Sequence, residues 1–311
     1  MIIVNADRVL PRCYGLVVDS ELPLPDLGPG SPTSRPADVT VRLGSPGPVP
    51  DTATLLPLGL WRDGDAVGLV VPDIASYVVR GGREIVVGPE PGADPTAVRL
   101  FLLGTVMGAL MMQRGHLVLH GNAFRVGDAC AVVVGRSGAG KSTLAAELQR
   151  RGHDVLADDV VPVDRHGHAL PGYPRIKLWQ DAVARLGVDS AQLERVAHQV
   201  DKFQLPIDRG PAEPGPLPLR WVYVLERHNG RDLRITPAGG METFGLLHEH
   251  TYRHELVHGE EAVRVHLEQC ARLAGRARVS RVTRPAATMT AEATADAILS
   301  DIAAQPAQES A

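Results

Sequence analysis

The sequence is short of lysine and cysteine, and it contains no long hydrophobic run. Only three of its 32 basic residues are lysine (Lys141, Lys177 and Lys202), so each is a candidate for a role that arginine cannot fill. The three widely spaced cysteines include no CxxC pair, which excludes a disulfide framework and favours a reducing cytoplasm. The longest apolar stretch, Phe101–Met112, is shorter than the about 20 residues that a membrane-spanning helix needs.

An excess of positive charge is also absent. The net charge is −4 and the pI is about 6.3, so the chain carries no electrostatic footprint for nucleic acid. The first residues lack the pattern of a signal peptide. We therefore expect a cytoplasmic protein without a nucleic-acid or membrane partner. Its 311 residues, 44% hydrophobic, suffice for one large domain or two modest ones.

Short apolar runs broken by Gly and Pro dominate residues 1–93, and this pattern predicts a β-rich N-terminal domain without a catalytic constellation. Residues 27–36 and 45–57 are typical of surface loops. The predicted strands are Tyr14–Val18, Val39–Leu43, Ala66–Val71, Tyr77–Val79 and Glu84–Val87.

Asp94-Pro95 has the pattern of a helix start and opens a second predicted domain over residues 94–303, followed by a flexible tail at 304–311. The first helix is expected to end at Gly115. Strands are predicted at 116–124, 129–134, 153–157 and 278–283, and a hairpin around Asn229-Gly230. Helices are predicted at 141–151, 180–187, 190–198, 242–258, 260–273 and 291–303.

The strongest motif is the phosphate-binding loop, which fits G-x-x-x-x-G-K-[ST] at every fixed position. A buried strand precedes it and a helix follows it, so its amides and the helix dipole can hold phosphates. We expect Lys141 to reach the β- and γ-phosphates, Ser142 to bind Mg²⁺ and Thr143 to lie near the α-phosphate. The predicted nucleotide-binding residues are Gly135, Arg136, Ser137, Gly138, Ala139, Gly140, Lys141, Ser142 and Thr143.

Two adjacent acids, Asp158 and Asp159, are predicted at the end of the next strand. A phosphate-binding loop needs an acid at the end of a neighbouring strand to hold Mg²⁺, and a kinase also needs a carboxylate at the acceptor hydroxyl. Neighbouring side chains on extended backbone point in opposite directions. One carboxylate can then face the metal and the other the acceptor.

These motifs resemble the kinase domain of HPr kinase/phosphorylase. The resemblance is carried by His120-Gly121 before the loop and by RRGHDVLADDVV after it. Segments 14–27, 99–124 and 173–179 are similar to HPr-kinase-like proteins found beside natural-product peptide genes, including lasso peptide kinases. The resemblance implies an α/β fold related to ATP-dependent phosphoenolpyruvate carboxykinase, with a mixed sheet and a smaller β-rich N-terminal domain.

The same resemblance implies residue roles. Asp158 would be the general base on the acceptor serine, Asp159 would hold Mg²⁺ with Ser142, and His120 would sit beside the transferring phosphate. The segment 175–179 lacks the glutamate that HPr kinase/phosphorylase uses for metal binding, which argues against the reverse phosphorolysis. Further candidates for contacts with phosphate or peptide are Arg175, Lys177, Lys202 and Arg253.

His254-Glu255-Leu256-Val257-His258 also matches H-E-x-x-H, the zinc protease signature. The match covers three fixed residues in a histidine-rich segment, and a third ligand is not evident. We therefore reject a metalloprotease function.

The leading hypothesis is an ATP- and Mg²⁺-dependent serine kinase that acts on a peptide, with a lasso-type precursor as the expected acceptor. Two alternatives stay open: a kinase of HPr or of a small hydroxylated metabolite, and a non-catalytic switch driven by nucleotide. The sequence leaves the choice between ATP and GTP open, and also the oligomeric state.

Overall fold

The computed structural model describes residues 8–179, 183, 194–197, 200–207, 215–285 and 290–305. Side chains are described for these residues except 179, 194–197 and 200–202. The chain contains both sheets and helices, and the architecture is α/β with mixed sheets, as predicted.

The N-terminal part forms an eight-stranded mixed sheet in the order β2-β3-β5-β10-β9-β8-β7-β6. Every predicted strand lies in or overlaps it, but the predicted loops at 27–36 and 45–57 each contain a short strand, β4 and β6. The strands are β1 (Arg8–Leu10), β2 (Arg12–Cys13), β3 (Leu16–Ser20), β4 (Ser31–Thr33), β5 (Val39–Leu43), β6 (Thr54–Leu55), β7 (Leu60–Asp63), β8 (Ala66–Val71), β9 (Ala75–Arg80) and β10 (Glu84–Pro89); β1 pairs with β4 apart from the sheet.

A continuous helical segment follows and joins the two parts of the chain. It consists of α1 (Pro95–Phe101), a π-helical stretch (Leu102–Val106) and α2 (Met107–Gln113). The Asp94 side chain caps it by accepting a hydrogen bond from the amide of Thr96 at 2.9 Å, as expected. The segment is 19 residues long with a mean hydropathy of 1.5, so the expectation that it is too short to span a membrane was wrong. Its apolar window is 67% buried, as in a core helix.

The second sheet has seven strands in the order β12-β11-β13-β14-β18-β20-β19, and β12 also pairs with β18. Strands β12, β18 and β20 run parallel, so their carboxyl ends meet at one edge of the sheet. The strands are β11 (Leu117–Val126), β12 (Ala129–Gly135), β13 (Val155–Val163), β14 (His168–Ala169), β18 (Leu217–His228), β19 (Arg234–Pro237) and β20 (Arg278–Pro285).

Helices cover both faces of this sheet. On one face α3 (Lys141–Arg150) and α6 (Ala291–Ala303) pack through Leu144, Leu148 and Ile298. On the other face α4 (Met241–Glu249) and α5 (Glu260–Ala274) contribute Leu246, Leu247, Cys270 and Leu273. All three cysteines are described and buried, and none of them forms a disulfide.

A third sheet of three strands packs on α3. It contains β15 (Arg175–Trp179), β16 (Glu194–Ala197) and β17 (Val200–Pro206) in the order β15-β17-β16. Ile176 and Phe203 of this sheet share a buried cluster with Ala145 of α3. The predicted helix at 190–198 was therefore wrong over 194–197, because pairing with β17 overrides the local helical pattern. The predicted helix at 180–187 lies outside the described residues, apart from residue 183.

Three further expectations were wrong. The strands on either side of Asn229-Gly230 do not form a hairpin, because β20 lies between β18 and β19 and pairs with both. The helix predicted at 242–258 ends at Glu249, since the next residues pair with β11 through a bridge between Leu119 and Thr251. The strand predicted at 153–157 was expected to end in the acidic pair, with extended backbone again at 160–163, but one unbroken strand runs from Val155 through both acids to Val163.

The first sheet and the second share a continuous core. One buried cluster joins Tyr77 and Ile85 of the first sheet to Leu110 of α2 and to Val118 and Val160 of the second sheet. The Tyr77 hydroxyl donates a hydrogen bond to the Val98 carbonyl at 2.9 Å. The residues before and after residue 93 pack extensively against each other. The division of the chain into two domains at this residue therefore stays a prediction.

The first sheet offers a test of its packing at Gly68, which lies opposite Trp61 in the register of β7 and β8. A Cβ atom at residue 68 would overlap the buried indole of Trp61. We predict that Gly68→Ala lowers the free energy of unfolding by about 1–3 kcal/mol, because overpacking displaces the ring. Urea denaturation measures this. In the control Gly245→Ala, on the exposed face of α4 with open space around it, stability should be equal or higher.

Candidate active site

The phosphate-binding loop connects β12 to α3. Its glycines adopt the left-handed conformations that the turn requires, with φ of 76° at Gly138 and 93° at Gly140. The Lys141 ammonium is buried and donates hydrogen bonds to the carbonyls of Gly135, at 2.7 Å, and Arg136, at 3.3 Å. Ser142 and Thr143 follow in the first turn of α3, where the helix dipole favours anions.

Asp158 lies in the middle of β13 and is the most heavily bonded acid of the site. Its Oδ2 accepts a hydrogen bond from the Lys177 backbone amide at 2.7 Å. Its Oδ1 accepts from the Asn122 amide and lies 3.2 Å from the Ser142 hydroxyl. The side chain is buried, and this burial, together with the charge of Asp159, raises the pKa of Asp158 to about 6. One carboxylate thus connects β11, α3 and β15.

Asp159 has a different environment, although it is the next residue. Its backbone is left-handed with φ of 72°, which turns its side chain away from a regular strand position. Its Oδ1 lies 3.3 Å from His120 Nδ1, and its Oδ2 accepts from the Lys177 ammonium at 3.4 Å. About a third of the side chain is exposed, so Asp159 faces an open space.

That space is a cavity of about 500 Å³ between the phosphate-binding loop and the segment after α4. His120 and Asp159 lie on its wall, Arg136 and Ser137 on the loop side and Arg253 on the opposite side. The segment after α4 is joined to β11 by a backbone hydrogen bond, in which the His120 amide donates to the His250 carbonyl at 2.8 Å. Predicted site residues from separate parts of the sequence therefore meet at one opening.

Two of the predicted basic residues contact this site. The Lys177 ammonium is buried beside Asp159 and lies 5.7 Å from the centroid of the Tyr173 ring. Arg253 stacks on Tyr252 and donates to the Thr105 hydroxyl at 3.3 Å. Thr105 belongs to the π-helical stretch, a type of distortion that occurs frequently at functional sites.

The other two basic candidates are not shown to contact the site. Arg175 lies 3.7 Å from the buried Asp26, which also accepts a hydrogen bond from Arg99, and Arg175 does not line the cavity. The phosphate contact of Arg175 stays a prediction, and in the structure its guanidinium lies beside an acid of the N-terminal part. The backbone of Lys202 pairs with Trp179, and its side chain lies outside the described residues.

The H-E-x-x-H segment does not adopt the helix that a zinc protease signature requires. His254–Leu256 form a single 3₁₀ turn after the left-handed Arg253. The two histidines of the motif consequently do not lie one above the other on an α-helical face.

Several residues near the site were missed in the sequence: Asn122, Thr105, Tyr14, Tyr252 and Arg284. Asn122 had a usable signal, since it lies two residues after His120 on the same face of β11. The others are brought in by distant parts of the chain, which no local pattern indicates.

A Mg²⁺ ion bound with a nucleotide fits the donors at the loop. The Ser142 hydroxyl and the Asp158 carboxylate are hard oxygen donors that lie together, and Mg²⁺ takes its remaining ligands from phosphates and water. Within the described part of the chain, no group of three or more His, Cys, Asp or Glu could hold a metal ion. The site suits a metal that arrives with a triphosphate.

Comparison with known proteins supports the resemblance for the middle of the chain. Residues 114–180 match the HPr serine kinase C-terminal domain. The HPr kinase/phosphorylase of Alkaliphilus metalliredigens is 42% identical over 54 residues, which cover 17% of this chain and 18% of that protein. The protein of the same name from Chlorobium limicola is 42% identical over 55 residues, 18% of this chain and 17% of that protein.

The match is limited in length, since the chain spans less than a fifth of either relative. The solved structure of the HPr(Ser) kinase/phosphatase from Coxiella burnetii aligns over 60% of this chain and 90% of that one, at 12% identity and a TM-score of 0.27. A TM-score this low carries no weight for the fold. The similarity to HPr kinases predicted from the loop and the acidic pair is thus confirmed for the central segment, 114–180.

The raised pKa of Asp158 gives a pH-dependent prediction. Because the folded state holds the proton more tightly than the unfolded chain, this carboxyl contributes stability at low pH that is lost as pH rises through about 6. We predict that Asp158→Asn, which cannot ionise, raises the free energy of unfolding above pH 6, by on the order of 2–3 kcal/mol. Asn122 Oδ1 is buried without a hydrogen-bond partner among the described residues and can accept from the new amide.

The measurement is urea denaturation of both proteins at about pH 4.5 and about pH 7.5. The stability difference should grow with pH, and equal differences at both pH values would contradict the assignment. The exposed Asp154, changed to Asn, is the matched control, and its effect should be small at either pH.

Tyr14 is a strained and incompletely bonded residue at the same site. It occupies the two-residue turn between β2 and β3 with φ of 53°, a conformation that favours Asn or Gly. Its ring lies beside Gly172, which is also next to Ala157, the residue before the acidic pair. Its hydroxyl is buried and has no hydrogen-bond partner among the described residues.

We predict that Tyr14→Phe raises the free energy of unfolding by about 1–2 kcal/mol, because it removes a buried hydroxyl that is not hydrogen-bonded. In the control Tyr77→Phe a hydrogen bond to the Val98 carbonyl is lost, so stability should fall instead. Denaturation of the three proteins under the same conditions tests both signs. A loss of stability in Tyr14→Phe would show that the hydroxyl has a partner.

Proposed function

We propose that this protein is a cytoplasmic ATP- and Mg²⁺-dependent kinase that transfers the γ-phosphate to a serine hydroxyl of a peptide. The observation that carries the proposal is the convergence of the phosphate-binding loop, Asp159 and His120 on one cavity, with Asp158 buried beside Ser142. The central match to HPr serine kinases supports the same class of reaction. The site residues face each other across a space large enough for a phosphate and a side chain.

Asp158 and Asp159 have different roles in such a reaction. The resemblance assigned the base to Asp158 and the metal to Asp159, but the contacts support the opposite division. Asp158 lies 3.2 Å from the Ser142 hydroxyl, and both of its carboxylate oxygens accept hydrogen bonds, which suits a residue that holds a Mg²⁺ ion and its waters. Asp159 lines the cavity and is within reach of an entering hydroxyl.

In the transfer step, Asp159 accepts the proton of the serine hydroxyl. The serine oxygen forms its bond to the γ-phosphorus while the bond from that phosphorus to the bridging oxygen breaks, and ADP leaves with the electron pair. Lys141 stabilises the charge on the phosphates, and His120 lies where it can donate a hydrogen bond to the transferring group. Bound Mg²⁺ would neutralise charge on the phosphate oxygens during this step.

The acceptor that we propose is a ribosomally made precursor peptide of the lasso type. The support is the resemblance of segments 14–27, 99–124 and 173–179 to proteins encoded beside such peptides. In the structure these three segments meet around the site: Tyr14, Thr105 and Tyr173 all lie near Lys177 or Tyr252. His120 of the second segment lines the cavity, and Tyr252, another lining residue, lies beside Thr105.

We predict that incubation with Mg·ATP adds the mass of one phosphate group to a serine-containing precursor peptide, measured by mass spectrometry. Asp159→Asn should reduce turnover by at least about 10³-fold and leave Mg·ATP binding intact, because only the proton acceptor is lost. Asp158→Asn should instead weaken Mg²⁺-dependent nucleotide binding.

A serine-to-alanine version of the peptide serves as the control and should gain no mass. HPr and small hydroxylated metabolites belong in the same assay, since phosphorylation of one of them alone would replace the peptide as the substrate. A folded, nucleotide-bound protein that phosphorylates none of these would contradict the kinase proposal and favour a nucleotide-driven switch.

A further inference from the structure

A buried arginine lies behind the phosphate-binding loop, at a position that no motif indicated. Arg284 is the penultimate residue of β20, and its side chain is only 7% exposed. Strands β12, β18 and β20 are parallel, so Arg284 lies at the same sheet edge as the start of the loop. Ligands of open α/β sheets bind at this edge, beyond the carboxyl ends of the strands.

Arg284 is bonded directly to the loop. Its Nη2 donates a hydrogen bond to the Ala139 carbonyl, and its Nη1 donates to the Thr294 hydroxyl of α6 at 3.3 Å. Because every described peptide bond is trans, fixing the Ala139 carbonyl also directs the Gly140 amide to the side away from Arg284. A side chain on residue 140 would collide with the guanidinium, so glycine is required there for space as well as for its φ of 93°.

The charge of Arg284 is not balanced by an acid. No carboxylate lies within ion-pair distance of it among the described residues, and Arg227 is its partner in the register of β18 and β20. Burial and the charge of Arg227 both lower the pKa of Arg284. Its Nε is buried and lacks a hydrogen-bond partner in the described part of the chain. Lys177, the buried cation on the other side of the site, has Asp159 as its counter-ion.

A buried cation without a counter-ion is costly, and proteins pair such charges or place them where a ligand supplies the opposite charge. The nearest anion site is the loop that Arg284 already contacts. We propose that Arg284 is a positioning residue of the nucleotide site: it fixes the Ala139–Gly140 peptide of the loop, and the triphosphate is its counter-ion. This inference rests on the proposed nucleotide binding.

Substitutions of Arg284 are expected to affect nucleotide binding and the stability of the nucleotide-free protein differently. Arg284→Met keeps an aliphatic stem but removes the charge, so the nucleotide-free protein should unfold at the same or a higher urea concentration. Its affinity for Mg·ATP, measured by calorimetry, should fall about 10- to 100-fold, because one poorly screened charge is lost. Arg284→Lys keeps the charge without the planar fork and should recover part of the affinity.

Three probes locate the effect on the nucleotide. Inorganic tripolyphosphate with Mg²⁺ should lose affinity for Arg284→Met by a factor similar to Mg·ATP, whereas the affinity for adenosine should not change. Arg234→Gln is the matched control, since this exposed arginine lies on the neighbouring β19, and it should bind all three probes like the wild type.

The inference is overturned if Arg284→Met binds Mg·ATP and tripolyphosphate as the wild type does. It is also overturned if adenosine and tripolyphosphate lose affinity equally while the unfolding midpoint falls, since that pattern indicates a structural role. If the wild-type protein transfers phosphate and Arg284→Met binds nucleotide and transfers phosphate equally well, only this inference is contradicted. A wild-type protein that does not bind Mg·ATP removes the proposed function as well.

Discussion

The buried carboxylate of Asp158 is the interaction on which the geometry of the site depends. Desolvation of an acid is unfavourable unless donors surround it, and its donors come from three separate elements: Asn122 of β11, Ser142 of α3 and the Lys177 amide of β15. The loop helix, the central sheet and the third sheet are therefore fixed relative to one another by the same group. We propose that the same group holds Mg²⁺, and on that proposal the fold and the chemistry of the site share one constraint.

Around this acid the site has two groups of charges. Lys141 and Arg284 lie at the loop, where phosphates are expected, and Asp159 lies at the open cavity with Lys177 behind it. The backbone adds a second indication. Of the five described non-glycine residues with positive φ, Asp159 and Arg253 line this cavity. Strained conformations cluster at functional sites, where the surrounding packing maintains them.

Local sequence signals predicted the secondary-structure elements well wherever an element is determined by residues close to it in sequence. The loop with its flanking strand and helix, the capped helix at Asp94 and the helix Ala291–Ala303 all lie where the patterns indicated. Two of the failures have the same physical cause, which is pairing with a distant strand. Insertion of β20 separates the two strands around Asn229-Gly230, and pairing with β11 ends the helix at Glu249. These partners are remote in sequence, so a local window does not contain them.

By itself the sequence determined that the chain has a loop with the pattern G-x-x-x-x-G-K-[ST], two adjacent acids and a histidine upstream, because these depend on residue types at fixed spacing. The tertiary structure decided which acid meets Ser142, that Asp26 holds Arg175, and that Tyr14 and Arg284 reach the site. Such contacts follow from how sheets pack and how strands are ordered. Burial then decides which charges need a partner, and burial is a property of the folded chain.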